Sequence, residues 1–417
     1  MDYSYYINEK GKSRKMSAIR ETAAYVNLPG MISMAGGFPN PEMFPFSGLT
    51  IHLKDGTSIP LDDATIKETL QYGLSSGMER LNTWLRDLQL HEHKPPRQDF
   101  TVSIGTGSQD LITKAIDLLI DNGDSLLLEN PSYAGILTFV QVLKCNLVEI
   151  NTDANGLIPS HLRETLSNWP SDKPRPKVLY TIPTGSNPTG CSHTLERKQE
   201  IYAIAREYSL LILEDDPYYY LQFNDRRTPS YFSLDVDGRV LRFDSFSKIL
   251  SAGLRLGFAS GPKELIDKIN IATGCSNLHP SGVPQSVAYA LLSNWGIGRF
   301  LEHTESVAKF YRARCELFLS KCEQHLAGLA RWNKPSAGMF LWVQVLGVED
   351  TRELVKKKAL EKKVLAVPGE AFIPNTRPSP YLRLSFSTIQ EAQMDEALSR
   401  LAELLREATR EHGASAN

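Results

Sequence analysis

Short, nearly continuous apolar runs alternate with helical patterns through the middle of this chain. Such runs fit strands that are buried on both faces, as in a parallel or mixed sheet flanked by helices. Residues 194–209, between two of these runs, repeat apolar side chains at helical spacing, which gives the strand–helix–strand order of an α/β fold. The predicted strands are residues 125–129, 146–150, 177–183, 210–216, 240–245 and 254–260.

The pattern changes after about residue 300. A charged helical stretch at 299–326 precedes three predicted strands (338–345, 363–369 and 381–387) and a final helix at 388–410. The sequence therefore predicts three parts. Residues 1–45 form an N-terminal segment that packs near the small domain and the active site, 46–300 form a large domain, and 301–417 form a small α+β domain.

Composition narrows the possible partners. A net charge of −2 over 417 residues gives no electrostatic support for binding nucleic acid or a membrane surface. No apolar run reaches membrane-spanning length. The five cysteines are scattered without Cys-x-x-Cys spacing, so neither a metal site nor a disulfide framework is indicated, and a reducing compartment fits best.

Polar side chains follow several of the predicted strands where each strand ends. Ligands of open α/β sheets bind beyond these carboxyl ends. Gly105 and Gly107 precede a predicted helix with Ser108 as its N-cap, and the N–H groups of a helix start can hold an anion. The residues that follow strands are Asn187, Asp215, Tyr218, Ser245, Ser247 and Lys248.

A pyridine aldehyde that carries a phosphate would use this set of side chains. Lys248 would form a Schiff base with the aldehyde, and Asp215 would keep the ring nitrogen protonated. Tyr218 and Asn187 would donate to the ring oxygen. Serines, the helix start and Arg255 would hold the phosphate. Each feature alone is more often a turn, a helix cap or a surface lysine, so the prediction depends on their occurrence together.

The motifs NPTG, DDPYYYL, SFSK, GLRLGF and YLRLSF occur in this order. Together they resemble fold-type I, class I/II aminotransferases that depend on pyridoxal phosphate. The segments AGGFPNPEMFPF, LQYGLSSG, GSQDL, SNPTG and NLHPS are similar to the kynurenine/2-aminoadipate aminotransferase subfamily. The resemblance extends from about Ser17 to Glu407.

This resemblance implies a mostly parallel, mixed seven-stranded sheet between helices, plus a smaller α+β domain. It also implies pyridoxal phosphate as the cofactor and a homodimer with shared active sites, in which Tyr72 reaches the phosphate of the neighbouring subunit. Tyr133 would stack on the ring. The residues implied for the phosphate are Ser108, Gln109, Ser245, Ser247 and Arg255.

The resemblance also implies the substrate site. Arg383 would hold the carboxylate common to all amino acids, near Asn187. The implied pocket walls are Arg20, Gly37, Leu278 and Phe340. An arginine at the entrance suits a distal carboxylate, as in 2-aminoadipate or glutamate, whereas an arginine that swings aside would admit kynurenine or aromatic side chains.

Several alternatives stay open at this point. The main prediction is a transaminase that moves an amino group to a 2-oxo acid such as 2-oxoglutarate by a ping-pong reaction. A lyase or synthase could use the same cofactor on the same fold, and an aminotransferase-like effector domain would lack activity. The predicted location is the cytoplasm, with a mitochondrial location as the alternative.

Overall fold

The computed structural model describes residues 1–18, 25, 28–34 and 36–415, with side chains through residue 410. These residues form two compact units. Unit 1 comprises Met1–Asp121, Leu211–Pro217 and Tyr231–His303. Unit 2 comprises Asn122–Leu210, Tyr218–Ser230 and Thr304–Asn417. The domain boundaries after residues 45 and 300 stay predictions.

The fold is α/β, as predicted, with a large mixed sheet and a smaller antiparallel sheet. The large sheet has eight strands, one more than predicted, because a two-residue strand pairs with its neighbour at one edge. The strands are β1 Thr50–His52, β2 Ser58–Pro60, β3 Phe100–Gly105, β4 Ser125–Asn130, β5 Asn146–Asp153, β6 Gly156–Leu157, β7 Val178–Thr181, β8 Leu211–Asp215, β9 Val240–Ser245, β10 Gly257–Pro262, β11 Ala330–Trp332, β12 Phe340–Val345, β13 Val367–Pro368 and β14 Tyr381–Ser385.

Four strands of the large sheet lie in unit 1, in the order β3-β10-β9-β8. β8 and β9 are parallel, and β10 runs antiparallel to both β9 and β3. The register places Gly257 between Gly105 and Ser245, so three residues near the predicted phosphate site form one row across the sheet. Most residues of these strands are buried, which explains their continuous apolar pattern.

The other four strands lie in unit 2, in the order β7-β4-β5-β6. β4 is parallel to β5 and β7, while β6 is antiparallel to β5. Unit 2 also contains the small sheet, in the order β11-β12-β14-β13, and its neighbouring strands are all antiparallel. Arg383 on β14 lies opposite Trp342 on β12, so the two side chains share one face of the small sheet.

Helices pack against the large sheet, and two details differ from the sequence prediction. Gly107, with φ of 82°, is the N-cap of α4, and Ser108 is its first helical residue. The long helix begins at Gly282 and is interrupted at Gly296. The helices are α1 Glu9–Ser13, α2 Asp63–Leu70, α3 Glu79–His93, α4 Ser108–Leu119, α5 Ala134–Val140, α6 Pro159–Ser167, α7 Leu195–Glu207, α8 Lys263–Ser276, α9 Gly282–Leu326, α10 Ala359–Glu361 and α11 Glu391–Ser415.

The first residues of the chain pack against unit 1. Tyr3 is buried, and its hydroxyl donates to the carbonyl of Gly238 at 2.9 Å. The amide of Asn8 donates to the carbonyls of Asp117 at 2.9 Å and Ile120 at 3.2 Å. These carbonyls belong to the C-terminal end of α4, where backbone acceptors lack helical partners. The N-terminal segment therefore caps the helix whose other end begins at Ser108.

Candidate active site

A glycine-lined turn in unit 1 brings an arginine against a helix start. A Cβ on Gly107 would lie 2.5 Å from Arg255 Nη2, and a Cβ on Gly257 would collide with the backbone nitrogen of Ser108. A side chain at Gly257 would therefore clash with the backbone, and one at Gly107 would displace Arg255 and strain a backbone with φ of 82°. Arg255 Nη1 donates to Ser247 Oγ at 3.3 Å. The turn thus combines the N–H groups of a helix start, a guanidinium and a hydroxyl, which suits a phosphate.

Lys248 lies immediately beyond the carboxyl end of β9. A single 3-10 turn, Phe246–Lys248, follows this strand, and Ser245 Oγ accepts from the backbone nitrogen of Ser247 at 3.2 Å. This cap fixes the turn that presents Lys248, whose side chain is half-buried. Asp215 ends the adjacent parallel strand β8 and is 3% exposed.

A second group of predicted residues in unit 1 is exposed. The ring of Tyr72 lies 6.3 Å from Phe38 and 5.9 Å from His279, so the segment after Gly37 and the segment around Leu278 meet at Tyr72. Tyr72 is 51% exposed and Leu278 is 45% exposed. The structure therefore brings Gly37, Tyr72 and Leu278 into one neighbourhood. Arg20 lies outside the described residues.

In unit 2, Arg383 lies in a cage of aromatic rings and an amide. Its Nη1 donates to Asn187 Oδ1 at 2.9 Å. Its Cζ lies 4.4 Å from the ring centroid of Phe340 and 5.1 Å from that of Phe372, and contacts of this kind stabilise a guanidinium. Asn187 is 5% exposed. The arginine side chain is thus held on three sides before any ligand binds.

One donor of Arg383, Nε, is buried and lacks an acceptor among the described residues. Burial lowers the pKa of Arg383, although Tyr218 and Tyr133 act in the opposite direction. A buried guanidinium without a full set of acceptors is unfavourable, and a carboxylate would supply two acceptors in matching geometry.

Two tyrosines complete this group. Tyr133 follows β4, is half-buried and is the N-cap of α5. Tyr218 is 4% exposed, and its ring makes an edge contact with Phe340 at a centroid distance of 6.0 Å. Both side chains act on the electrostatics of Arg383. The structure therefore brings together Tyr133, Asn187, Tyr218, Phe340 and Arg383 within unit 2.

The residues present fit pyridoxal phosphate. Gly107 and Gly257 form a cradle that a Cβ would fill, and the nearby donors suit the phosphate. Lys248 and Asp215 follow neighbouring parallel strands and have the chemistry for the aldehyde and the ring nitrogen. Gln109, in the first turn of α4, is half-buried beside Ser108.

The family model for aminotransferase class I and II matches residues 61–401. The chain belongs to this family. It is 42% identical to the bovine (Bos taurus) protein named kynurenine/alpha-aminoadipate aminotransferase, mitochondrial, with 98% of this chain and 100% of the relative covered. The fold and the family resemblance expected from the sequence are thereby confirmed.

Solved structures of aminotransferases have the same fold as this chain. The aminotransferase Aro8 from Candida albicans superposes with a TM-score of 0.90 at 27% identity, covering 98% of this chain and 99% of that chain. LysN, an alpha-aminoadipate aminotransferase from Thermus thermophilus complexed with N-(5'-phosphopyridoxyl)-L-leucine, has a TM-score of 0.74 at 29% identity, covering 98% and 100%.

The protein is therefore an aminotransferase that depends on pyridoxal phosphate. These findings support transamination and give no support to the lyase, synthase or effector alternatives. No helix in the described part of the chain is long and apolar enough to cross a membrane. Within the same residues, no cluster of three or more His, Cys, Asp or Glu side chains could hold a metal ion.

Two residues near the predicted site residues, Phe372 and Arg242, were not identified from the sequence. Phe372 covers Arg383 from a short helical turn, and its sequence neighbourhood gives no signal of that contact. Arg242 is fully buried on β9. A charged residue inside the apolar strand VLRFDS was the available signal for Arg242, because buried charges require partners.

Proposed function

We propose that this aminotransferase acts on 2-aminoadipate, kynurenine or aromatic amino acids, with a 2-oxo acid such as 2-oxoglutarate as the acceptor. The single observation that carries the proposal is the caged Arg383, whose buried Nε has no acceptor among the described residues and suits the carboxylate of an amino acid. The donor class is supported by the names of the bovine and Thermus relatives, which refer to kynurenine and aminoadipate.

The residues of unit 1 would hold the cofactor. Ser108, Gln109, Ser245, Ser247 and Arg255 bind the phosphate through hydroxyl, amide, guanidinium and helical N–H groups. Lys248 and Asp215 flank this group along the sheet. In our proposal Lys248 carries the aldehyde and Asp215 accepts a hydrogen bond from the protonated ring nitrogen.

A second set of predicted residues would bind the ring and the substrate. Tyr218 and Asn187 donate to the ring oxygen, and Tyr133 stacks on the ring. Arg383 holds the substrate carboxylate in a bidentate pair, so the bond to the substrate α-hydrogen has a fixed orientation. Phe340 is a wall of the pocket, since its ring already covers one face of Arg383.

Pyridoxal phosphate supplies an aldehyde that binds amines covalently and a ring that accepts an electron pair from the substrate. The protein supplies the proton transfers. Lys248 Nζ takes the proton from the substrate Cα and later returns one, so the same side chain serves as base and then acid. Asp215 favours the proton on the ring nitrogen, which stabilises the negative charge that develops during the reaction.

Borohydride labelling tests this assignment. Purified protein should be yellow, and reduction should fix the cofactor on Lys248. A tryptic map with the label on another lysine would contradict the proposal. Lys248→Ala should abolish turnover while the protein stays folded, as measured by circular dichroism. A panel of amino acids and 2-oxo acids with product identification then defines the donor and acceptor.

We also propose a homodimer. Ile32, Met34, Met43 and Phe46 are 90%, 98%, 82% and 66% exposed, and isolated proteins rarely expose so many apolar side chains close together in sequence. A partner subunit would cover them. Tyr72, which is half-exposed, would contact the phosphate bound by the other subunit.

Mixing two inactive variants tests the shared site. A dimer of one Tyr72→Phe subunit and one Lys248→Ala subunit has one site with both residues intact if Tyr72 serves the neighbouring subunit. Activity should then return on mixing. If Tyr72 serves its own subunit, both sites of the mixed dimer stay impaired, and no activity returns.

Arg20 is proposed as the residue that distinguishes side chains, and Gly37 and Leu278 as further pocket walls. The proposed location is the cytoplasm, although the bovine relative is named mitochondrial. Microscopy of the tagged native protein tests the location.

A further inference from the structure

Arg242 makes a dense set of ion pairs inside unit 1. Its side chain is 0% exposed. Nη1 contacts Asp216 Oδ2 at 3.0 Å and Glu214 Oε2 at 3.2 Å. Nε and Nη2 donate to the two oxygens of Asp244 at 3.0 Å and 2.7 Å. One fully buried cation therefore joins three buried carboxylates.

The arrangement brackets the carboxylate that we assign to the ring nitrogen. Glu214 and Asp216 are the residues immediately before and after Asp215. Glu214 pairs with Arg242 in the parallel register of β8 and β9, so both side chains point to the same face of the sheet. Because strand side chains alternate, Asp215 points to the opposite face. Arg242 thus contacts both sequence neighbours of Asp215, on the face of the sheet opposite to the Asp215 side chain.

Further hydrogen bonds fix the carboxylates that contact Arg242. Glu214 Oε1 and Oε2 accept from the backbone nitrogens of Tyr231 at 2.6 Å and Phe232 at 3.1 Å. Gln89 Nε2 donates to Asp244 Oδ2 at 3.2 Å. Burial raises the pKa of Asp244, although Arg242 acts in the opposite direction. Burying an ion costs desolvation free energy. Three buried carboxylates around Arg242 exceed the one that would balance its charge, so their number calls for a further explanation.

A second buried arginine lies directly before the same strand. Arg239 is 6% exposed, forms a bidentate pair with Asp237 at 2.9 Å and 2.6 Å, and hydrogen-bonds with Tyr6. Arg242 has a distinctive arrangement, because two of its ion pairs lie on either side of Asp215.

We propose that Arg242 is a positioning residue, which fixes the direction of the Asp215 carboxylate by holding Glu214 and Asp216. The inference rests on the proposed role of Asp215 at the ring nitrogen. A lysine at this position would retain one charge but could not span three carboxylates, because its ammonium is a point charge. Asp215 would then sample directions away from the ring nitrogen.

A double-mutant cycle between Arg242→Lys and Asp215→Asn tests the inference. Single-turnover rates with an amino donor are measured in the holoenzyme, together with visible absorption of the bound cofactor as a function of pH. Arg242→Lys should slow the half-reaction by about ten- to a hundredfold, as misplacement of a catalytic group does. It should also shift the absorption curve in the direction that Asp215→Asn shifts it.

The double variant decides between positioning and general stability. If Arg242 acts through Asp215, the double variant should be no slower than Asp215→Asn alone, within about twofold. If the two losses multiply, or if the absorption curve of Arg242→Lys is unchanged, the inference is overturned. If Asp215→Asn alone leaves the half-reaction unaffected, the proposed role of Asp215 fails first.

Two further variants keep the test decisive. Arg239→Lys is the matched control and should lower thermal stability without a change in rate or absorption. If Arg242→Lys does not fold, Asp216→Asn replaces it in the same cycle, since it removes one of the two anchors and conserves shape.

Discussion

Arg383 Nη1 donates to Asn187 Oδ1 at 2.9 Å, although the two residues are 196 positions apart. Asn187 follows β7 of the large sheet, and Arg383 lies on β14 of the small sheet, both within unit 2. The amide orients the guanidinium while Nε keeps its donor for a ligand. This relationship joins the residue proposed for the ring oxygen to the residue proposed for the substrate carboxylate.

Arg383→Lys should therefore impair every amino donor alike. The planar fork matches two carboxylate oxygens, and a lysine would offer a single point charge. We expect kcat/KM to fall for every donor. The corresponding loss of transition-state stabilisation should be roughly 2–4 kcal/mol, within the range for disruption of a buried charge pair. Steady-state kinetics with one dicarboxylic and one aromatic donor measure it.

Arg377→Lys is the matched control for this substitution. Arg377 is an exposed arginine that pairs with Glu149 through both Nη atoms at 2.7 Å. Its replacement should leave kcat/KM unchanged for both donors. An equal loss in the two variants would mean that Arg383 does not touch the substrate.

Gly107→Ala should weaken cofactor binding. The added Cβ would lie 2.5 Å from Arg255 Nη2, so Arg255 must move away from the helix start, and φ of 82° is strained for alanine. We expect the dissociation constant for pyridoxal phosphate to rise by about tenfold, or roughly 1.4 kcal/mol. Fluorescence titration of the apoenzyme measures the constant.

Gly123→Ala is the control for Gly107→Ala, because it introduces backbone strain without displacing Arg255. Gly123 has φ of 85°, but its Cβ would meet nothing within 4 Å. Both variants should lose thermal stability, and only Gly107→Ala should lose cofactor affinity. Equal affinities in the two variants would remove Gly107 from the phosphate site.

The local pattern of the chain predicted much of the fold, for stated physical reasons. Strands β4, β8 and β9 are buried on both faces, so their apolar runs were easy to recognise. Strand β3 was not predicted, because Thr101 and Ser103 interrupt its apolar run. The cap of α4 was assigned to Ser108, since the positive φ of Gly107 is not visible from composition.

Long-range contacts account for what the sequence did not reveal. Phe372 meets Arg383 through tertiary packing, and no periodic pattern refers to that pairing. The partners of Arg242 include Asp216, which is 26 positions away. The sequence therefore offered one signal for this cluster, namely a charged residue within an apolar strand. The positions of polar residues near strand ends could be predicted because the sheet fixes where strand ends lie, whereas their roles stay predictions.

Cysteine reactivity should follow burial. Burial raises the pKa of both Cys315 and Cys322 to about 12, and the thiolate is the reactive form. Cys275 is exposed. With iodoacetamide at neutral pH, Cys275 should be modified first, while the two buried thiols should react only after denaturation. Peptide mass spectrometry of the folded protein would contradict this if Cys315 or Cys322 reacted as fast as Cys275.

Arg20→Ala should change donor preference rather than overall activity. A dicarboxylic donor such as 2-aminoadipate would lose the partner of its distal carboxylate, and an unpaired carboxylate in the pocket is unfavourable. Aromatic donors should be little affected. The measurement is kcat/KM for one donor of each class, and an equal loss for both would show that Arg20 does not select the side chain.

Acid should weaken the attachment of the N-terminal segment to α4. Arg14 Nη1 lies 2.7 Å from Asp117 Oδ2, and Lys10 also pairs with this carboxylate. Burial alone would raise the pKa of Asp117, but the two cations outweigh it and hold the pKa below its ordinary value. A carboxyl with a depressed pKa contributes stability above its unfolded pKa, and loses it as pH falls through the folded pKa.

Asp117→Asn should therefore lower the free energy of unfolding at neutral pH by about 1 kcal/mol, because the cations are partly exposed. The difference from wild type should shrink in acid, where Asp117 itself is protonated. Urea denaturation at neutral and acidic pH measures both values. Asp267→Asn, which removes an exposed pair with Lys263 on α8, is the control and should show little change at either pH. A pH-independent loss in Asp117→Asn would mean that the carboxylate acts through packing rather than charge, and α4 would then be held at this end mainly by Asn8.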